Sequence, residues 1–236
     1  MGLRTSRLIK ASALAVGFLM LVGFSSMSAK ADEVAFGGYT NGCFNCGSAV
    51  PNSSAYQTNT LLGLSFGNSA FSGTTVGGFL GFGGNPQPVP GPQNIDNLGS
   101  FTLSMTNNTY TGNTFSLRVT FTLPPGILSG GNGGSANSQI FSATLNGAVN
   151  TLGNGGVSIT FSTTPILFTF SNASGSGSFL FSVNPLSINP GQTAEITGQI
   201  TSATQTAVPE PATMLLLGTG LVGAAGFVRW RIRKRT

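Results

Sequence analysis

Histidine is absent from all 236 residues, and charge is nearly absent from the middle of the chain. Lys and Arg total 10 and Asp and Glu 5, which gives a formal charge of +5. The cations are not spread evenly. Arg4, Arg7, Lys10 and Lys30 lie near the start, and Arg229, Arg231, Arg233, Lys234 and Arg235 crowd the end. Between Asp32 and Val208 only Arg118 is basic, set against Asp32, Glu33, Asp96 and Glu195. A nucleic-acid surface needs many phosphate-neutralising cations, so a nucleic-acid partner is excluded for this body. Serine triads, zinc hydrolysis and most general acid–base chemistry use His or paired acids. No catalytic, cofactor-binding or metal-ligating set is expected. A glycosidase-type pair would have to join Asp96 and Glu195, which are far apart in sequence, without the usual polar cleft.

Cysteine is scarce as well: only Cys43 and Cys46, spaced C-x-x-C. No helix pattern follows that would activate a redox thiol, and no third Cys exists for zinc. The pair reads as a small structural disulfide formed after export. Free thiols or intermolecular pairing are the alternatives. Three N-x-[ST] triplets, at Asn52, Asn107 and Asn172, read as solvent-facing loops that leave glycosylation open. "GTGLVG" (218–223) has the letters of a dinucleotide fingerprint, but the chain ends too soon for the second strand and acid that such a fold requires.

The apolar and Ser/Thr residues are plentiful and ordered. Phe115, Leu117, Val119, Phe121 and Leu123 alternate with Ser116, Arg118, Thr120 and Thr122. The same period of two recurs in "FTLSM" (Phe101, Leu103, Met105), "FSATL", "VSITF", "ILFTF", "FLFSV" and "AEITGQI", the last with Gly198 as a bulge or close approach. Period two marks a half-buried strand. Turn residues separate the runs: Asn107-Asn108, Pro124-Pro125-Gly126, Gly130 to Gly134, Asn146-Gly147, Asn154 to Gly156, Asn172 to Gly177 and Asn189 to Gly191. The expected fold is all-β, an antiparallel β-sandwich of jelly-roll or immunoglobulin-like type over 94–207. Residues 32–93 read as a looser β region, with strands at 60–66 and 75–82 and a Pro/Gly linker at 83–94.

Both ends carry targeting patterns. A basic n-region, an apolar run from Ala11 to Phe24 and Ala29-Lys30-Ala31 form a signal peptide over 1–31. The Sec translocon and signal peptidase are the implied partners. At the other end, 17 residues from Ala212 to Val228 carry no charge. As a helix they cover about 26 Å, close to a thin hydrocarbon core. The basic tail 229–236 then lies on the cytoplasmic side and the body outside. Pro209 and Pro211 keep the backbone around Glu210 extended at the outer edge.

"VPEPATMLLLGTGLVGAAGFVRWRIRKRT" (208–236) resembles a PEP-CTERM sorting signal. The resemblance implies recognition by an exosortase, a membrane-embedded cysteine transpeptidase-like enzyme, in a diderm bacterium that makes exopolysaccharide. It also makes Pro209, Glu210 and Pro211 the sorting residues. The chain is then a substrate, anchored briefly in the inner membrane and passed to the cell surface or extracellular matrix. The expected role is structural, in association with exopolysaccharide. The alternative is a carbohydrate-binding module using Tyr39, Tyr56 or Tyr110. A secreted enzyme resting on Asp96 or Glu195 ranks third.

Overall fold

The computed structural model describes residues 30–46, 60–84, 93–94, 96–130 and 135–207, together with 218, 220 and 221. The strands run in chain order as β1 (Lys30–Ala31), β2 (Ala35–Phe44), β3 (Thr60–Leu61), β4 (Leu64–Gly67), β5 (Ala70–Thr74), β6 (Leu80–Phe82) and β7 (Gln93–Asn94). Next come β8 (Ser100–Leu103), β9 (Asn108–Thr109), β10 (Thr114–Leu123), β11 (Ile127–Ser129), β12 (Ser138–Val149) and β13 (Gly155–Phe161). The last five are β14 (Ile166–Asn172), β15 (Gly175–Val183), β16 (Leu186–Ile188), β17 (Thr193–Glu195) and β18 (Gly198–Ala207).

Three sheets result. The first has the order β11-β14-β15-β18-β6-β7, with β1 also on β18. The second is β16-β13-β12-β10-β2-β5, with β9 also on β12, and the third is β17-β8-β4-β3. The strands pair antiparallel except β6 with β7. The all-β, antiparallel expectation therefore holds for the described residues.

Alternation becomes packing through phenylalanine. Phe121 of the second sheet meets Phe168, Phe179 and Phe181 of the first, with ring centroids 5.1, 5.1 and 5.2 Å away. Phe36 reaches Phe179 at 4.8 Å, and Phe141 reaches Phe181 at 5.4 Å. At the other end of β10, Phe115 meets Phe101 and Phe66 of the third sheet at 4.8 and 5.0 Å. The inner face of the second sheet thus packs the first sheet at one end and the third at the other. Each edge-on ring pair adds about 0.5–1.5 kcal/mol beyond the area buried.

The structure redraws several sequence expectations. The stretch 32–93 is not set apart from the sheets. β2 lies between β10 and β5, β6 pairs with β18, and β4 pairs with β8. Lys30–Ala207 forms one compact unit. The 75–82 run holds a turn, closed by the Val76–Phe79 bridge, before β6. "AEITGQI" is two strands, because the chain leaves the third sheet after Glu195 and joins the first at Gly198. At Gly198 a Cβ would press on Leu98 and on the Ser182 carbonyl, which is the close approach its position suggests. Asn146-Gly147 is no turn but lies inside β12; the reversal comes at Asn150, whose Oδ1 accepts from Leu152 N–H and Asn154 N–H at 2.9 Å each. Met105 lies beyond the end of β8 and is 67% exposed, not inward.

Candidate functional site

β18 is a polar strand that carries the fold to the sorting segment. Its neighbour β15 pairs with it from Val183↔Gly198 to Gly175↔Ala207, with one irregularity near Ser178 and Leu180. Its other edge is covered piecewise. β6 takes Gly198 to Ile200, Ala203 N–H donates to the Gly78 carbonyl at 3.0 Å, and β1 takes Gln205 and Thr206. Strand pairing therefore runs to Ala207, the residue before Val208. Pro209, Glu210, Pro211, the basic residues Arg229, Arg231, Arg233, Lys234 and Arg235, and most of 212–228 lie outside the described residues. Within that span Gly218, Gly220 and Leu221 have helical backbone. The 1–31 leader lies outside too, apart from Lys30 and Ala31. No helix of the described residues is long and apolar enough to cross a membrane.

Inside the body, Cys43, Cys46 and Asp96 have local partners. Cys43 and Cys46 are joined as a disulfide at the end of β2. The Asp96 carboxylate accepts from Ser72 N–H at 2.9 Å and from Ser72 Oγ–H at 3.2 Å, which ties the chain before β8 to β5. Glu195 is exposed on β17, opposite Ser100. No cluster of three metal-ligating side chains occurs among the described residues. Of the sequon asparagines, Asn52 is outside the described residues and Asn107 is exposed. Asn172 donates its side-chain N–H to the Pro125 carbonyl at 3.2 Å while its Oδ1 accepts from Ser174 N–H, so that amide closes a turn.

The aromatic residues sort themselves by burial. Tyr110 is fully buried, and its hydroxyl donates to the Leu62 carbonyl at 2.6 Å. Burial pushes its phenol above the ordinary pKa of 10.0, and a hydrogen bond with Asn108 pulls weakly the other way. Tyr110 therefore latches the β3–β4 turn and offers no ring to a sugar. Tyr56 lies outside the described residues. Tyr39 is 41% exposed. It sits opposite Thr120 in register, and Asn41 sits opposite Arg118 on the same outer face. Arg118 is half-buried and donates through Nη2 to Ser138 Oγ at 3.3 Å; Ser138 also bonds Thr120 at 2.9 Å. Sequence reading placed Arg118 on a strand but did not see that β2 lies beside it, so this Tyr39–Asn41–Arg118 grouping was missed. Two shallow grooves, ≈ 370 and ≈ 250 Å³, flank Pro124 and Pro125; Asn137 lines the first and Gln205 the second.

Residues 207–234 match the family model of the PEP-CTERM protein-sorting motif. No curated protein and no solved structure matches the chain. The motif implies exosortase-dependent sorting of an exported protein that is transiently anchored in a membrane, with the exosortase as its processing partner. The chain thus carries a PEP-CTERM sorting motif, matched from Ala207, the last residue of β18.

Proposed function

We propose that the body is an exported structural protein, a β-sandwich delivered by its C-terminal signal to the cell surface or to an exopolysaccharide matrix. The leader and translocon would carry it out, the apolar span would hold it, and an exosortase would act at Pro209, Glu210 and Pro211. The observation that carries this reading is the junction of a matched sorting motif with a sparsely charged, ring-packed body. The acids that could have been paired for catalysis are placed differently: Asp96 binds Ser72, and Glu195 is exposed on β17. The body is accordingly read as cargo rather than catalyst.

Intact-mass and C-terminal peptide measurements on the extracellular fraction test this. The expected form lacks Trp230 and the basic tail. Recovery of the whole tail outside the cell would overturn the sorting reading. A mass above that of the polypeptide would show glycosylation.

A second reading is favoured by one observation, the exposed Tyr39 beside Asn41 and Arg118 on a face otherwise rich in hydroxyls. Saccharides stack on such rings and bond such side chains. A carbohydrate-binding role would show as glycan-array binding that Tyr39→Ala abolishes. Binding that survives Tyr39→Ala would remove this reading.

A further inference from the structure

We infer that the leader is removed on the amino side of Lys30, after Ser28, so that Lys30 and Ala31 remain on the exported chain as β1. The inference rests on export and is independent of the C-terminal cut. Its first support is the ladder: Lys30 pairs with Thr206 and Ala31 with Gln205. The compact unit that holds all three sheets also begins at Lys30.

The next residues are fixed as firmly. The Asp32 carbonyl accepts from the Thr75 hydroxyl at 2.6 Å and from Gly78 N–H at 3.1 Å. Val34 N–H donates to Thr75 Oγ1 at 2.8 Å, and Thr75 N–H returns a bond to the Val34 carbonyl at 3.0 Å. The Ala31–Asp32 peptide bond therefore sits between a paired strand and an anchored carbonyl. A cut there, which the Ala29-Lys30-Ala31 pattern alone suggests, would detach β1 from the fold. It would leave Gln205 and Thr206 without their cover, on the strand that leads directly into the sorting motif. An uncovered strand edge is a template for pairing with other chains.

The sequence offers a suitable site upstream. Ser26-Met27-Ser28 places two small residues at the spacing that a leader peptidase reads. Hydrolysis of the Ser28–Ala29 amide consumes one water. It leaves a carboxylate on Ser28 and a new α-amine on Ala29.

The full chain, exported with its own leader from a diderm host, tests this by α-amine labelling and mass spectrometry of the amino-terminal peptide. The expected first residue is Ala29, and Lys30 also supports retention of β1. A chain that starts at Asp32 or later, or one that retains Met1, overturns the inference. Ala31→Gln provides a second reading. Precursor is processed at the unchanged rate if the cut lies upstream, whereas accumulation of uncut Ala31→Gln precursor sinks the proposal. Because these readings use only the amino terminus, their failure is distinct from failure of C-terminal sorting.

Discussion

Phe121 is the residue on which most rings converge. Its neighbours are Phe36, Phe71, Phe168, Phe179 and Phe181, drawn from both large sheets. Phe121→Ala should cost about 3–5 kcal/mol, the usual range for emptying a buried aromatic site; urea unfolding measures it. Tyr110 behaves differently because its edge is polar. Tyr110→Phe keeps the ring and loses the bond to the Leu62 carbonyl, at a cost of about 1 kcal/mol at neutral pH. That advantage fades in base. A phenol whose folded pKa is raised stabilises the fold fully below pH 10.0 and loses that contribution as pH climbs through the folded value. Denaturant unfolding should therefore show the wild type falling toward the variant above pH 10.0. A wild-type advantage that stays constant through strong base would contradict the buried latch. Cys43 and Cys46 close a loop with a sequence separation of only 3, so reduction should cost about 2 kcal/mol on the chain-entropy account.

β2 is the element that most separates what the sequence says from what the fold does. Its inward positions are Phe36, Gly38, Thr40, Gly42 and Phe44. Two of the five are glycines, so the apolar alternation is broken and no strand is legible there. The structure supplies the missing bulk from neighbouring strands. Phe71 lies over Gly38, and Phe66 with Phe115 lies over Gly42. Gly42→Ala should cost about 1–3 kcal/mol through overpacking, read as a lowered denaturation midpoint with an unchanged slope. A neutral result would mean that those rings move aside freely. β10 is the opposite case: five apolar residues at period two gave its bounds, Thr114–Leu123, directly. β18 was legible only at its start, since Thr201 to Ala207 is Ser/Thr/Gln-rich and bears one buried residue of note, Ala203. Polar strands are held by their backbone neighbours, and single-chain patterns do not report who those neighbours are. The same blindness hid the Tyr39–Arg118 face, which exists only because β2 and β10 are adjacent. The sorting motif suffered none of this, because Pro-Glu-Pro, an apolar run and a basic tip are read from the chain in order and need no partner strand.

At the scale of the molecule, charge is concentrated at the ends while the three sheets rest mainly on rings and hydroxyls. Stability of the body should consequently vary little with salt, since few charges are present to be screened. Unfolding midpoints measured in low and high sodium chloride should agree; a large shift would show that the few body charges carry much of the stability. The position of Arg118 has a different kind of consequence. It is the only Lys or Arg between Asp32 and Val208, and it lies mid-strand in β10, hydrogen-bonded and flanked by β2 and β12. Proteases that cleave after basic residues thus meet one target in the whole body, and that target is locked in a sheet. The folded protein should outlast trypsin in surroundings full of such enzymes, while a chymotrypsin-like enzyme faces a chain dense in Phe and Leu. Tryptic digestion after denaturation would yield only two very long body peptides, one ending at Arg118 and the other running from Val119 to the end of the processed chain. Inventories of extracellular proteins built on trypsin would under-count it, and mapping of either terminus is better served by cleavage at acidic or aromatic residues.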